Sequence, residues 1–163
     1  MDVRIDESRT AETSGIIADI ARTIWNEYYP SVVSQDQIDY MLERIHSAPA
    51  IEKDVENGYR YFVIYCGGER ARYLAVLPEE DSVFLSKLYL FERFRGKGAA
   101  TEVIEFVKRL AEGKECISLT VNRNNRRAIA FYEKEGFVIT AQKKKDIGSG
   151  FVMDDHIMKL HLR

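Results

Sequence analysis

Apolar side chains recur at helical spacing in two segments near the start of the chain. Between residues 9 and 27, Ile, Ala and Trp side chains lie three or four positions apart, as on a helix with one buried stripe. The same spacing returns over 38–45, and Ser34 followed by Gln37 resembles a capping box before that segment. The pattern therefore predicts two successive helices, the first ending at Pro30.

A change to alternating apolar and polar positions predicts three strands in the middle of the chain. Residues 59–65 and 71–77 are two such runs, and Gly67 and Gly68 between them favour a hairpin turn. A third run, 83–91, is apolar on both faces, which indicates a strand in the centre of a sheet. Alternation along it predicts two opposed sets of side chains: Phe84, Leu88 and Leu90 on one face, and Leu85, Lys87 and Tyr89 on the other.

Helical and extended patterns follow one another in the second half of the chain. They predict, in order, a helix over 100–111 closed by Gly113, a strand over 117–121, a short helix between Asn125 and Gly136, and strands near 137–145 and 151–162. A strand, a helix and a strand in succession over 83–121 predict a right-handed parallel unit. We therefore expect an α/β fold with a mixed sheet and flanking helices.

Composition limits the class of protein. A chain of 163 residues with 45% hydrophobic and 31% charged residues is one globular domain, residues 1–163, and is too apolar to be disordered. The net charge of −2 gives no overall attraction to nucleic acid. The lysines from Lys143 to Lys145 have no interleaved aromatic residues, so they predict a solvated face. We expect no nucleic-acid partner.

The sequence also predicts a compartment. The acidic start lacks the basic and apolar stretches of a signal peptide, and no apolar segment reaches about 18 residues. Cys66 and Cys116 are too few and too far apart for a metal site of the Cys-x-x-Cys type or a disulfide framework. We expect a cytoplasmic protein with no membrane contact and no metal.

The junction between the third strand and the long helix is suited to binding phosphate. The first turn of a helix exposes unpaired backbone N–H groups at the positive end of its dipole. Small residues there let phosphate oxygens approach, and basic neighbours add charge; they are Gly96, Gly98, Ala99 and Ala100, with Arg93, Arg95 and Lys97. Neither GxxxxGK followed by Ser or Thr nor GxGxxG occurs here, so the nucleotide loops of those types are excluded.

Two motifs resemble those of one enzyme family, the GCN5-related N-acetyltransferases. Arg95, Gly98 and Ala100 fit its acetyl-CoA signature (Q/R)xxGx(G/A), and Asn125 to Phe137 fit its NxxAxxFYxxxGF block. The resemblance implies an α/β (α+β) fold whose mixed, mostly antiparallel sheet has six to seven strands with flanking helices. It also implies acetyl-CoA as co-substrate and a central parallel strand pair that splays apart to admit pantetheine. It implies main-chain pairing to pantetheine by Leu88, Tyr89 and Leu90, and diphosphate binding by the N–H groups of Arg95, Gly96, Lys97, Gly98, Ala99 and Ala100. Asn125 and Lys134 would contact the pantetheine or the nucleotide.

The resemblance also implies direct attack of a neutral amine on the thioester. Backbone N–H near Leu90 would bind the developing oxyanion, and Tyr132 would donate a hydrogen bond or a proton to the leaving sulfur. Many relatives place a glutamate base on the central strand, whereas this chain has Ser86 and Lys87 there. The base is therefore left open among Glu79, Glu80, Asp81 and the cluster Asp154, Asp155 and His156.

The first two helices of this fold cover the acceptor side of the acetyl group. Here they bring Trp25, Tyr28 and Tyr29, together with Glu27 and Tyr40, and such an aromatic and acidic lining suits a cationic amine. We expect a small primary amine such as a polyamine. A protein N-terminus or lysine, or a non-catalytic acyl-CoA sensor, is the alternative, and a homodimer is a possible assembly because dimers are common in the family.

Overall fold

The computed structural model describes residues 3–90 and 98–162. The helices of these residues are α1 Ala11–Tyr28, α2 Gln35–Arg44, α3 Ala48–Glu56, α4 Ala99–Leu110 and α5 Arg126–Lys134, with a 3₁₀ turn at Tyr29–Ser31. The strands are β1 Val3–Glu7, β2 Arg60–Cys66, β3 Glu69–Pro78, β4 Ser82–Leu90, β5 Cys116–Asn122, β6 Val138–Gly148 and β7 Phe151–His161. Among the helices described, none is long and apolar enough to cross a bilayer.

The seven strands form one sheet in the order β1-β2-β3-β4-β5-β7-β6. All neighbours pair antiparallel except β4 and β5, which are parallel. Side chains of α1, α2 and α3 pack on one face of the sheet, and those of α4 and α5 pack on the other. The predicted fold class, a mixed and mostly antiparallel sheet with a central parallel pair, is therefore confirmed.

The parallel pair separates along its length. Ser82–Leu85 of β4 pair with Cys116–Leu119 of β5, and the pairing ends there. Beyond that point β4 stays bonded to β3 as far as Leu90, and β5 stays bonded to β7 as far as Asn122. The centre of the sheet therefore opens toward the carboxyl ends of the two strands, as the splayed pair implied by the resemblance requires.

A β-bulge in β4 alters which side chains face the opening. Leu85 pairs with Val76 and Lys87 pairs with Ala75, so Ser86 is an additional residue in β4. Leu85 and Leu88 consequently pack together on the face of α4 and α5, while Phe84 and Lys87 line the opposite face. The predicted grouping of Phe84 with Leu88, and of Leu85 with Lys87, is wrong because strict alternation cannot anticipate a bulge.

Two elements lie where the sequence pattern predicted none. β1 adds an edge strand before α1, and α3 follows α2 with Pro49 in its first turn. The predicted caps are confirmed, since the Ser34 hydroxyl accepts from the Gln37 amide at 3.2 Å and the Asn125 carboxamide from the Ala128 amide at 3.2 Å.

The hairpin of β6 and β7 is held against α2. The Tyr40 hydroxyl donates to the Ile147 carbonyl at 2.7 Å, and the Tyr40 and Phe151 rings lie 5.2 Å apart. Gly148, with φ of +100°, follows Ile147, and a Cβ on Gly148 would lie 2.5 Å from the Tyr40 hydroxyl. The contact fixes one wall of the space between α2 and the sheet.

Gly148→Ala should cost more stability than Gly150→Ala. Both positions have positive φ, but a Cβ at Gly150 meets no atom within 4 Å. We expect a loss of about 1 kcal/mol for the Gly150 variant from backbone strain, and about 2–3 kcal/mol for the Gly148 variant, which also displaces Tyr40. Urea unfolding measures both, and equal losses would contradict this role of the Tyr40 contact.

Candidate active site

The opening between β4 and β5 is a cleft lined by residues from both faces of the sheet. Its volume is about 90 Å³. One wall is formed by Tyr132 and Ala128 of α5, and the opposite side by Trp25, Tyr29 and Asp155. Main-chain segments of β4 and β5 form the edges, so a molecule entering from one face of the sheet can meet a molecule entering from the other.

α4 contacts β4, the strand that borders this opening. Gly98 is the N-cap residue, with φ of +77°, and no side chain caps the helix. Ala99 is buried and Ala100 is half-buried. The amides of the first turn therefore have no partner within the helix and no bulky side chain over them, which is the arrangement that binds phosphate. The predicted contacts of Arg95, Gly96 and Lys97 lie outside the described residues.

Tyr132 lines the cleft from α5. Its ring is 8% exposed and lies in edge contact with Phe131 and Phe137, at centroid distances of 5.5 and 5.4 Å. Burial raises the pKa of Tyr132 to about 12, although the nearby charge of Arg72 acts in the other direction. The hydroxyl is thus protonated, and able to donate, over the whole physiological pH range.

Asn125 joins α1 to α5 below the cleft. Its carboxamide oxygen accepts from the Tyr28 hydroxyl at 2.9 Å and from the Ala128 amide, and its amide group donates to the Tyr29 hydroxyl at 3.2 Å. The side chain is buried and lines the cleft, so one amide hydrogen is left to face a guest. Lys134 is exposed in the last turn of α5 and is not part of the cleft lining.

The aromatic residues predicted for the acceptor form a stacked group. Trp25 stacks on Tyr29 with centroids 3.8 Å apart, and Tyr28 meets Tyr29 edge-on at 5.3 Å. Trp25 and Tyr29 line the cleft, whereas Tyr28 is half-buried beside them and supports Asn125. Two of the three residues predicted to bind the acceptor, Trp25 and Tyr29, therefore line the cleft.

Lys87 is a buried cation in the wall opposite α5. Its ammonium donates to the Tyr61 hydroxyl at 2.5 Å and to the Ile45 carbonyl at 3.2 Å, and it lies 3.5 Å from the Asp54 carboxylate. Burial lowers the pKa of Lys87 to about 8, opposed by the negative charge of Asp54. Since its three donors are directed to these three groups, Lys87 joins α3 and the end of α2 to β4. Asp54 was missed in the sequence because α3 itself was not predicted.

Asp155 is the one proposed base whose side chain lines the opening. It is 7% exposed, and burial, with the adjacent charge of Asp154, raises the pKa of Asp155 to about 6, opposed by Lys143 and His156. Asp154 instead contacts Arg123 at 3.4 Å. His156 pairs with Val121, a residue of the α5 face, and therefore points away from Asp155.

The other predicted bases are at the wrong end of the sheet. Glu79, Glu80 and Asp81 form the turn between β3 and β4, where β4 is still paired with β5. The carbonyls of Glu79 and Glu80 accept from the Lys114 ammonium, and the Asp81 carbonyl accepts from the Glu115 amide. These contacts fix the closed end of the sheet and leave Asp155 as the base candidate.

A second and larger cavity lies on the face of α2 and α3. Its volume is about 390 Å³. Ser86, Lys87, Thr120 and Asp155 line both this cavity and the cleft, so the two spaces adjoin. Within the described residues, no cluster of His, Cys, Asp or Glu side chains is arranged to hold a metal ion.

Comparisons with known proteins agree on the family. The sequence matches the model of the Acetyltransferase (GNAT) family over residues 18–137, which is well over half of the chain. An uncharacterised N-acetyltransferase of Mycobacterium tuberculosis is 37% identical over 78 residues, which are 47% of this chain and 50% of that protein. The chain thus spans about half the length of the curated relatives it matches.

Solved structures with low sequence identity share the fold. The PaiA N-acetyltransferase of Thermoplasma acidophilum, solved in complex with coenzyme A, gives a TM-score of 0.79 at 18% identity over 99% of both chains. The ribosomal-protein-S18-alanine N-acetyltransferase of Escherichia coli gives 0.71 at 16% identity, over 99% of this chain and 94% of that one. Only the second of these two names states an acceptor, and a likeness at 16% identity shows the fold and assigns no acceptor to this chain.

The chain belongs to the GNAT family, as its two motifs predicted. The family model is one of acetyltransferases, and the activity of this chain itself is proposed below. The residue roles and the acceptor are matters for proposal.

Proposed function

We propose that this chain transfers the acetyl group of acetyl-CoA to the primary amine of a small molecule by direct attack on the thioester. One observation carries the proposal: where β4 and β5 part, the same cleft is lined by the Tyr132 hydroxyl from one face and the Asp155 carboxylate from the other. A donor for the leaving sulfur and an acceptor for the amine proton thus flank one acetyl-sized space.

The cofactor occupies the face of α4 and α5. Its diphosphate is bound by the amides of Arg95 to Ala100, of which Gly98, Ala99 and Ala100 lie at the uncapped start of α4. Its pantetheine pairs with the main chain of Leu88 to Leu90, because β4 has no partner on the β5 side there. Asn125 and Lys134 contact the pantetheine or the nucleotide, and the unused amide hydrogen of Asn125 suits that role.

The acceptor ammonium loses two protons in the reaction, one to Asp155 before the attack and one to the departing sulfur as the C–S bond breaks. Asp155 takes a proton from the acceptor ammonium, and the neutral nitrogen forms a C–N bond to the thioester carbon. Backbone N–H near Leu90 binds the oxyanion while the C–S bond breaks. Tyr132 donates a hydrogen bond to the sulfur and does not ionise fully, because a phenol with a pKa of about 12 holds its proton more tightly than a thiol of about 8.5.

The acceptor enters from the face of α1, α2 and α3. Trp25 and Tyr29 border the cleft beside Asp155, and the cavity of about 390 Å³ behind them is large enough for a small amine. If the aromatic lining is considered without the charged residues near it, it favours a polyamine as the acceptor. A cytoplasmic location suits two free cysteines and an acyl-CoA co-substrate.

Gly98→Glu should weaken acetyl-CoA binding by about 10-fold or more, because a carboxylate at the start of α4 repels the diphosphate. Gly113→Glu is the matched control: Gly113 has a similar positive φ and equally open surroundings, but it lies at the other end of α4. Calorimetric titration with acetyl-CoA measures both variants. Equal affinity in the two variants would exclude this diphosphate site.

Tyr132→Phe should lower kcat by about 10²-fold while the dissociation constant of acetyl-CoA changes less than about 3-fold, because the lost hydrogen bond acts on the departing sulfur. The assay measures CoA released with the most active amine of a panel of spermidine, an aminoglycoside, amino acids and short peptides. Phe131→Leu is the control for packing, since Phe131 is the neighbouring ring on α5. Wild-type turnover in the Tyr132 variant would contradict the role.

Asp155→Asn should remove the acidic limb of the pH profile. The carboxylate accepts a proton only when ionised, so wild-type kcat/KM rises with pH through about 6, the raised pKa of Asp155. The Asn variant should lose about 10²-fold or more in kcat/KM at pH 7.5 and show no rise near pH 6. Asp154→Asn, whose carboxylate contacts Arg123 instead, should keep the limb. An unchanged limb in the Asp155 variant would assign the base elsewhere.

A further inference from the structure

The large cavity beside Asp155 carries more positive charge than its own carboxylates balance. Three lysines line it, Lys87, Lys143 and Lys145, together with two aspartates, Asp54 and Asp155. Asp54 accepts from the Tyr61 hydroxyl at 2.6 Å and lies 3.5 Å from Lys87, so these two charges compensate each other. Lys143, Lys145 and Asp155 are left facing the cavity.

The register of β6 places these lysines on the cavity side. Lys143 pairs with Asp155 and Lys145 pairs with Met153, and both partners line the cavity. Lys144 pairs with Asp154 and therefore points to the opposite face of the sheet. The run of three lysines predicted as a solvated face is exposed, as expected, but two of its members also border the acceptor space.

Lys143 faces Asp155 across the strand pair, and its charge opposes the rise in the pKa of Asp155, whereas Lys145 faces Met153. Among the residues that the structure describes, no carboxylate lies within 4 Å of the ammonium of Lys143 or Lys145. The remaining ionisable groups in the lining, His46 and Tyr59, add no negative charge. Burial together with the charge of Lys87 lowers the pKa of His46 well below its usual range, and burial together with the charges of Asp54 and Glu79 raises the pKa of Tyr59.

We propose that the acceptor is a small amine whose chain also carries an anionic group, held by Lys143 and Lys145 while the amine meets Asp155. This inference rests on the proposed function and names its substrate class. Lys145 lies two residues, about 7 Å, along the strand from the position opposite Asp155, which matches a short chain between the amine and the anion.

A polyamine fits this cavity poorly. With its reacting amine at Asp155, its second ammonium would lie beside two lysines, and like charges at close range repel. A carboxylate or a phosphate in the same place forms charge-assisted hydrogen bonds. The transfer itself is unchanged: Asp155 takes the first proton of the ammonium, a C–N bond forms, the C–S bond breaks, and the second amine proton passes to the departing sulfur, so coenzyme A leaves as its thiol.

Matched acceptors test the inference directly. We would measure kcat/KM for 4-aminobutyrate, O-phosphoethanolamine, n-butylamine and 1,4-diaminobutane, which present a carboxylate, a phosphate, a methyl group and a second ammonium. The wild-type chain should prefer an anionic acceptor to n-butylamine by about 10-fold, and should turn over 1,4-diaminobutane more slowly than n-butylamine. Comparison of 4-aminobutyrate with O-phosphoethanolamine shows whether the lysines prefer a carboxylate or a phosphate.

Variants on one strand provide the control. Lys143→Gln with Lys145→Gln should reduce the ratio of anionic to n-butylamine turnover by about 10-fold, and the ratio cancels any change in Asp155 itself. Lys144→Gln, on the opposite face, should leave the ratio within about 2-fold.

Two outcomes would overturn the inference. Preference for 1,4-diaminobutane in the wild-type chain, or a ratio that the double variant does not alter, excludes anion recognition by these lysines while leaving acetyl transfer intact. If acetyl-CoA binds but no amine releases CoA, the proposed function fails first, and the inference fails with it.

Discussion

The separation of β4 from β5 is the feature on which the rest of the molecule depends. Main-chain N–H and C=O groups that face a buried gap need partners, because an unpaired buried polar group costs about 1–3 kcal/mol. From Ser86 onward β4 has such groups on its β5 side, and the motif at the start of α4 lies where that strand leads. An extended molecule carrying a diphosphate would satisfy both needs, and we propose that the gap and the helix start bind the same ligand.

A β-bulge and several side-chain contacts determine the shape of the gap. The bulge at Ser86 turns Lys87 toward α3, where Asp54 and Tyr61 hold its ammonium. Asn125 links α5 to the aromatic residues at the end of α1. A buried ammonium and a buried carboxylate near one cleft both lower the stability of the fold. Lys87 is compensated by specific neighbours, and burial moves the pKa values of Lys87 and Asp155 to about 8 and about 6.

Much of the fold and part of the site could be predicted from the sequence. The stripe of α4, the alternation of β5 and the Asn125 cap are local patterns, and local patterns survive folding. β1 was missed because an edge strand of five residues has only alternate positions half-buried, and α3 because its apolar stripe is short. The orientation of Lys87 depends on a bulge, and the approach of Asp155 to Tyr132 depends on strands distant in sequence, so neither could be predicted from a local pattern.

The most direct test is a crystal structure of the chain with coenzyme A. The account predicts the diphosphate on the amides of Gly98 to Ala100, the pantetheine along Leu88 to Leu90, and the thiol within about 3.5 Å of the Tyr132 hydroxyl on the side of the cleft facing Asp155. Coenzyme A bound at another surface, or a thiol directed away from the gap between β4 and β5, would contradict it.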